Sequence, residues 1–280
     1  MYTLYSALAA MIFTIVAPTF MGVSLLWTVI PGFIVAVLVF VFIRNHYKSL
    51  VEGQMAQAMK EMEELQAIAA SGQRNQAVMI TVEKKRARAV ELMKGCLAYE
   101  KWQMGLALQI NAQVGMILFS QYAFLPKNEK NKLKEVVPYL EGTRVTGVGG
   151  KLFQGLWYSW VCLAACYIHL GEPKDKTIEL LEDAVKVAEK EGFLWSFYAW
   201  FLQRAKLNTE AIDVLARGVS LSEDPRLKTH LSALQNKKSM KMSEYGQSWY
   251  GLGFELPKHM MAGMQQQMGH PRMKAARGRR

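Results

Sequence analysis

The groups most able to do chemistry in this sequence are its thiols, imidazoles and thioethers, and their spacing restricts what they can do. Cys162 and Cys166 stand four residues apart, on one face of a predicted helix, while Cys96 lies far upstream. Two thiols alone make a poor metal site. An odd cysteine count in a chain of 280 residues argues against a disulfide framework. All three are read as small buried hydrophobes of a reducing compartment. The histidines, His46, His169, His230, His259 and His270, are scattered. None pairs with a carboxylate at zincin spacing, and no Gly-x-Ser-x-Gly elbow occurs. The segment His259-Met260-Met261-x-x-Met264-x-x-x-Met268-x-His270-x-x-Met273 carries ligands soft enough for Cu(I). Methionines at helical spacing more often form an adaptable apolar face for a partner or for lipid, and that reading is preferred. The stretch Gly142-Thr143-Arg144-Val145-Thr146-Gly147-Val148-Gly149-Gly150-Lys151-Leu152 invites a phosphate-loop reading and fails it. Val145 stands where the first glycine belongs, Leu152 where Ser or Thr must hold magnesium, and no strand precedes. It reads instead as a loop between helices. No catalytic set, metal site or cofactor motif emerges, so the expectation is a protein that is not an enzyme.

The elements that must position any functional surface follow from composition. Residues 1–43 contain no Asp, Glu, Lys, Arg or His, whereas the rest of the chain is charged and helix-rich. A bilayer core about 30 Å thick takes roughly 20 helical residues, so an uncharged run of 43 is long enough for two crossings. Pro18 and Gly22 bracket a tight turn that divides the run into residues 2–17 and 23–43. These are expected to cross as an antiparallel transmembrane hairpin. A cleaved signal peptide is disfavoured, because no basic residue opens the chain and a second apolar segment follows at once. A buried soluble helix pair is disfavoured because Val35-Ala36-Val37-Leu38-Val39-Phe40-Val41-Phe42-Ile43 is apolar all round. Arg44, His46 and Lys48 follow the second span directly, while the turn carries no charge. The positive-inside rule then places both termini in the cytoplasm, with the hairpin in a plasma or inner membrane. Trp27, Tyr2 and Tyr5 are candidate interfacial anchors.

Residues 44–72 form the next segment, an amphipathic linker or stalk. Val51, Met55, Ala58, Met62, Leu65 and Ala69 step by three or four residues. The preferred reading is an amphipathic helix packed on the helical repeats that follow, and the alternative is a stalk through which two copies associate.

Helical periodicity dominates residues 73–236. Trp160-Val161-Cys162-Leu163-Ala164-Ala165-Cys166-Tyr167-Ile168-His169-Leu170-Gly171 is followed by Thr177, Leu181 and Ala184. A second unit begins 35 residues on, with Trp195, Tyr198, Ala199 and Leu202, then Ala211, Leu215 and Gly218. Lys206 stands where the first unit has its turn glycine. Pro225 opens a last helix over 226–236, and a weaker unit lies upstream, with Asn111, Val114, Gly115 and Leu118 and a partner helix over 129–141. These units resemble the tetratricopeptide repeat, over roughly residues 87–236. The fold class expected is therefore all-α: an N-terminal transmembrane hairpin followed by a tetratricopeptide-like α-solenoid. A generic helical bundle is the alternative.

The resemblance implies a concave groove lined by the first helix of each unit. Carried over position by position, it presents Met116 and Phe119, then Tyr158, Val161, Ile168 and His169, then Phe193, Trp200, Gln203 and Arg204. The set is apolar and aromatic, so its expected ligand is an apolar helix or extended segment of a partner protein. The alternative occupant is Ser248-Trp249-Tyr250-Gly251-Leu252-Gly253-Phe254 of the same chain, because an exposed patch of this kind is a liability.

Residues 237–280 form a basic, methionine-rich tail. Nine Lys or Arg against two Asp or Glu give it a net +7 of the chain's +11. Arg272, Lys274, Arg277, Arg279 and Arg280 cluster at its end and are expected to touch anionic lipid. Nucleic acid ranks lower, because Trp249, Tyr250 and Phe254 precede that cluster and do not interleave with it. The functional expectation is a membrane-tethered scaffold that binds a partner protein. The alternative is an integral subunit of a transport, secretion or motility machine in which the hairpin makes the essential contacts.

Overall fold

The computed structural model describes residues 2–20, 25–70 and 76–256, and every regular element among them is helical. The chain forms two compact units, Met1–Val114 and Gly115–Arg280.

The first unit is built on α1 (Tyr2–Phe20), α2 (Leu25–Ala70) and α3 (Gln76–Gly95). At 1.5 Å per residue, α2 is roughly 70 Å long. Its stretch Val29–Ile68 is the one helix among the described residues long and apolar enough to cross a membrane; the apolar helix Tyr2–Val16 is shorter. The expected turn residues Met21 and Gly22 lie outside the described residues. α1 packs along the apolar part of α2. A Cβ on Gly32 would fall 2.7 Å from Ile15 Cγ1, so only glycine admits α1 there. Ala7 and Ala36 are also buried, while Ile12, Phe13, Phe33, Leu38 and Phe42 are more than half exposed.

Beyond Ile43, α2 turns amphipathic and pairs with α3 running the other way. Lys85 bonds Glu61 at 3.0 Å and also Glu64, while Cys96 Sγ lies 3.3 Å from Gln54 Oε1. Val51, Ala58 and Leu65 of α2 and Ala89, Val90 and Met93 of α3 are buried. The heptad-like stripe of the stalk is thus used within the chain. A 3₁₀ turn, Cys96–Tyr99, ends the pair.

The boundary between the units falls inside α4 (Leu106–Tyr122). The second unit continues through a 3₁₀ helix (Lys127–Glu135), α5 (Val137–Glu141) and α6 (Gly147–Leu152). The helix expected over 129–141 is therefore two pieces, and Pro138, which has no N–H to donate, opens the second. The segment expected to be a loop contains α6. Its Gly150 packs against the Val145 carbonyl, where a Cβ would come within 2.3 Å, so this glycine serves close packing.

Five longer helices follow: α7 (Trp157–Leu170), α8 (Lys174–Val187), α9 (Gly192–Arg204), α10 (Asn208–Leu221) and α11 (Pro225–Gln235). Each packs on the next, and α9 also touches α7 and α11. Trp195 rests on Gly218, whose Cβ would lie 2.8 Å from the indole. Arg217 makes a bidentate pair with Glu182 at 2.9 Å, tying α10 to α8. The ends of α7, α9 and α11 are alike. Gly171, Lys206 and Lys237 have φ of 74°, 65° and 56°. After each, the next N–H bonds back across six residues, from Glu172 to Tyr167, Leu207 to Leu202 and Lys238 to Ala233, at 2.8–3.0 Å. This is the Schellman closure of a helix.

Candidate functional site

The first-helix face that the sequence assigns to a partner is covered by the chain itself. After α11 the backbone crosses α9 and α7 as a strap, residues 240–254. It contains a 3₁₀ turn (Met242–Tyr245) and α12 (Gln247–Tyr250). Met240, Met242, Tyr245, Trp249 and Leu252 of the strap are buried, Trp249 and Leu252 completely. Gly246 and Gly253, at φ of 54° and 73°, let it bend. Gly253 lies against the Ala123 carbonyl, where a Cβ would fall 2.4 Å away.

Hydrogen bonds fix the strap at both ends of the face. His169 Nε2 meets the Leu252 carbonyl oxygen at 2.8 Å, and the Tyr158 hydroxyl donates to the Ser248 carbonyl at 3.0 Å. Tyr245 bonds Ser196 Oγ at 2.7 Å. Aromatic contacts fill the middle. Phe254 stacks on His169 at 4.5 Å, and Trp200 meets both Trp249 and Phe254 at 4.8 Å. Phe193 packs edge-on to Tyr245 at 5.0 Å.

The residues expected to line an open groove are thereby accounted for. Tyr158, His169, Phe193 and Trp200 touch the strap. Phe119, Val161 and Phe193 are buried, and Met116, Tyr158, Ile168, His169, Trp200 and Gln203 are half-buried. Gln203 reaches the Lys238 carbonyl at 3.5 Å, just before the strap. Arg204 alone is exposed, 5.6 Å from the Trp200 ring. The strap includes residues 248–254, the alternative occupant expected because an exposed apolar patch is a liability. The methionine stripe beyond Leu256 and the basic cluster Arg272, Lys274, Arg277, Arg279 and Arg280 lie outside the described residues.

One constellation left no sequence signal. Ser196 Oγ lies 3.0 Å from His230 Nδ1 and 2.7 Å from the Tyr245 hydroxyl. A serine bonded to a histidine is a pattern of nucleophilic catalysis. Here Ser196 is 0 % exposed, His230 1 % and Tyr245 8 %, so no substrate reaches the hydroxyl and the trio is a buried polar network that ties the strap to α9 and α11, with His230 Nε2 left without a hydrogen-bond partner among the described residues. Burial lowers the His230 pKa and raises that of Tyr245, which keeps both neutral near pH 7. Burial likewise lowers the His169 pKa, with Lys130 and Arg204 adding to the effect against the Leu252 carbonyl. The cysteines are free and buried. Burial pushes Cys166 up to about 12 and Cys162 well above the ordinary thiol range, so neither is a thiolate nucleophile at neutral pH. Among the described residues no three His, Cys, Asp or Glu side chains gather to hold a metal ion.

Among the described residues, fold and site together define an all-helical protein with one membrane-length apolar helix near its N-terminus and a strap-covered aromatic face. No protein-family model, curated protein or solved structure matches the chain.

Proposed function

We propose that this protein is a membrane-tethered scaffold: a two-span hairpin holds a tetratricopeptide-like helical domain at the cytoplasmic face of a plasma or inner membrane, where it binds a partner protein. The observation that carries the tether is the inverted burial of α1 and α2. Small Ala7, Gly32 and Ala36 are inside, while Phe13 and Phe42 are about three-quarters exposed. In water this arrangement is costly, but in lipid it is the ordinary way for two helices to approach. The pairing of Ile15 with Gly32, and of Thr3 with Phe40 around one cavity, supports an antiparallel hairpin. The three like helix ends at Gly171, Lys206 and Lys237 support a repeat.

The strap supports the choice of ligand. Trp249, Leu252 and Phe254 form an apolar, aromatic segment seated where the resemblance puts a partner peptide. A partner segment of the same chemistry would compete with the strap for this face. A synthetic peptide copying residues 245–255 should therefore bind the full chain carrying W249A and F254A and be excluded from the unaltered chain. Failure to bind the variant, with its helicity preserved, removes the groove from the proposal.

A second reading is favoured by the same closure. If the strap stays in place, the exposed apolar faces of α1 and α2 are the larger surface left for specific contacts, as in a subunit of a multi-protein membrane machine. Replacing residues 2–43 with an unrelated hairpin separates the two. A retained partner supports a tether, and a lost partner supports a machine subunit.

A further inference from the structure

A cavity of about 480 Å3 opens in the first unit where the apolar part of α2 gives way to charge. Leu4, Phe40 and Met104 form its apolar wall, and Arg44 and Gln103 its polar end. The size suits a small-molecule group, since such sites run from roughly 300 to 1,000 Å3. Among the described residues, both polar groups present atoms without a protein partner. Gln103 Oε1 is buried without a hydrogen bond. Arg44 is exposed and makes no ion pair among the described residues. The first carboxylate after it in sequence, Glu52, pairs instead with Lys48 at 3.4 Å, and no acidic side chain lines the cavity.

The surroundings set the level of this cavity. Trp102 is stacked on Tyr47 at 4.3 Å and meets Tyr2 edge-on at 5.3 Å. The Tyr2 amide bonds the Lys101 carbonyl at 2.7 Å, and the Thr3 hydroxyl bonds the Trp102 carbonyl. Tyrosine and tryptophan concentrate where hydrocarbon meets headgroups. Arg44 is the first charge in the chain, one helical turn past Phe40. The cavity therefore joins an apolar wall to a cationic end, and the aromatic cluster beside it has interfacial composition.

We infer that this cavity binds one anionic glycerophospholipid whose headgroup bears a hydroxyl. The Arg44 guanidinium donates to the phosphate, the unpartnered Gln103 amide oxygen accepts from the headgroup hydroxyl, and the acyl chains lie against Leu4, Phe40 and Met104. A zwitterionic choline lipid presents the same phosphate, but its trimethylammonium group brings a second cation toward Arg44 and it has no hydroxyl for Gln103. The phosphate fixes the register, because a guanidinium binds two of its oxygens at once. This inference rests on the membrane reading of α1 and α2.

The test uses the full chain in nanodiscs of equal phosphatidylglycerol and phosphatidylcholine, with retained lipid identified by native mass spectrometry. Phosphatidylglycerol should be retained about tenfold over phosphatidylcholine, the scale of one charge-assisted hydrogen bond. R44Q should weaken the preference, leaving only the part carried by Gln103, with helicity unchanged. Q103M should lower retention of phosphatidylglycerol while leaving phosphatidic acid, which lacks the headgroup hydroxyl, unaffected. Equal retention of both lipids by the unaltered chain overturns the inference. So does full displacement of phosphatidylglycerol by soluble glycerophosphoglycerol, which would mean a free phosphate ligand. Flotation on pure phosphatidylcholine vesicles separates the two readings. The chain and R44Q should both float; a chain that stays in the soluble fraction defeats the membrane reading itself and the inference with it, whereas a chain that floats without lipid preference defeats only the lipid site.

Discussion

His169 and Leu252, 83 residues apart, meet at 2.8 Å between the imidazole Nε2 and the backbone carbonyl oxygen. A carbonyl oxygen only accepts, so Nε2 carries the proton and the neutral ring is held as that tautomer. The bond fastens the far end of the strap to the last turn of α7, and the same ring stacks on Phe254.

This geometry makes the strap sensitive to acid. Burial lowers the pKa of His169 and of His230 below the usual 6.5, and Lys130 and Arg204 further oppose a charged His169. Below about pH 6.5 the unfolded chain takes up protons that the folded chain refuses. The associated stability is thus fully present above that pH and is lost as the pH falls toward the depressed folded values. Thermal melts of the full chain in detergent should show a lower Tm at pH 5.5 than at 7.5, with a smaller difference in H169Q. A Tm unchanged across this window would contradict the buried, neutral state of both rings.

Trp249 should be the costliest strap residue to truncate. Its indole is fully buried among Phe197, Trp200 and Phe254, and its N–H donates to Glu255 at 2.9 Å. Trp249→Ala should destabilise the second unit by about 3–5 kcal/mol, the range for large aromatic truncations in a core. Urea titration followed by circular dichroism measures this. A loss under 1 kcal/mol would mean that the strap is peripheral to the fold.

The like ends of α7 and α9 predict opposite effects of glycine exchange. A non-glycine residue in the left-handed region costs about 1–2 kcal/mol, partly offset by the entropy that glycine loses on folding. Lys206→Gly should therefore stabilise by roughly 0.5–1 kcal/mol, while Gly171→Ala should destabilise by about 1 kcal/mol. A Cβ at Gly171 meets nothing within 4 Å, so strain alone is read. Matching signs for the two exchanges would refute the equivalence of these helix ends.

The topology has its own test. Arg44 and Lys48 lie just past the apolar part of α2, and Tyr2 packs beside Trp102 and Tyr47 at that level. Both termini should then be cytoplasmic. A cysteine appended after Arg280 should resist a membrane-impermeant maleimide in intact cells and react once the cells are permeabilised. Cys96, Cys162 and Cys166 are buried and should add little background. Labelling in intact cells would reverse the assignment.

Local pattern carried much of this protein into view from sequence alone. The uncharged residues 1–43 announce apolar helices, and one helix among the described residues is long and apolar enough to cross a membrane. Spacing of three and four residues gives the helices, and the 35-residue recurrence at Trp160 and Trp195 places α7 and α9. Both effects act within one helix or one helix pair, so composition and period suffice to read them. Tertiary structure alone decided that the stalk's stripe is used against α3, and that the first-helix face is closed by the strap. The strap bends at Gly246 and Gly253 and has no helical period to announce a partner. Its hydrogen bonds to Tyr158 and His169 span 90 and 83 residues. Contacts at that separation are selected by which apolar surfaces remain uncovered once the helices have packed, and this depends on the whole second unit at once.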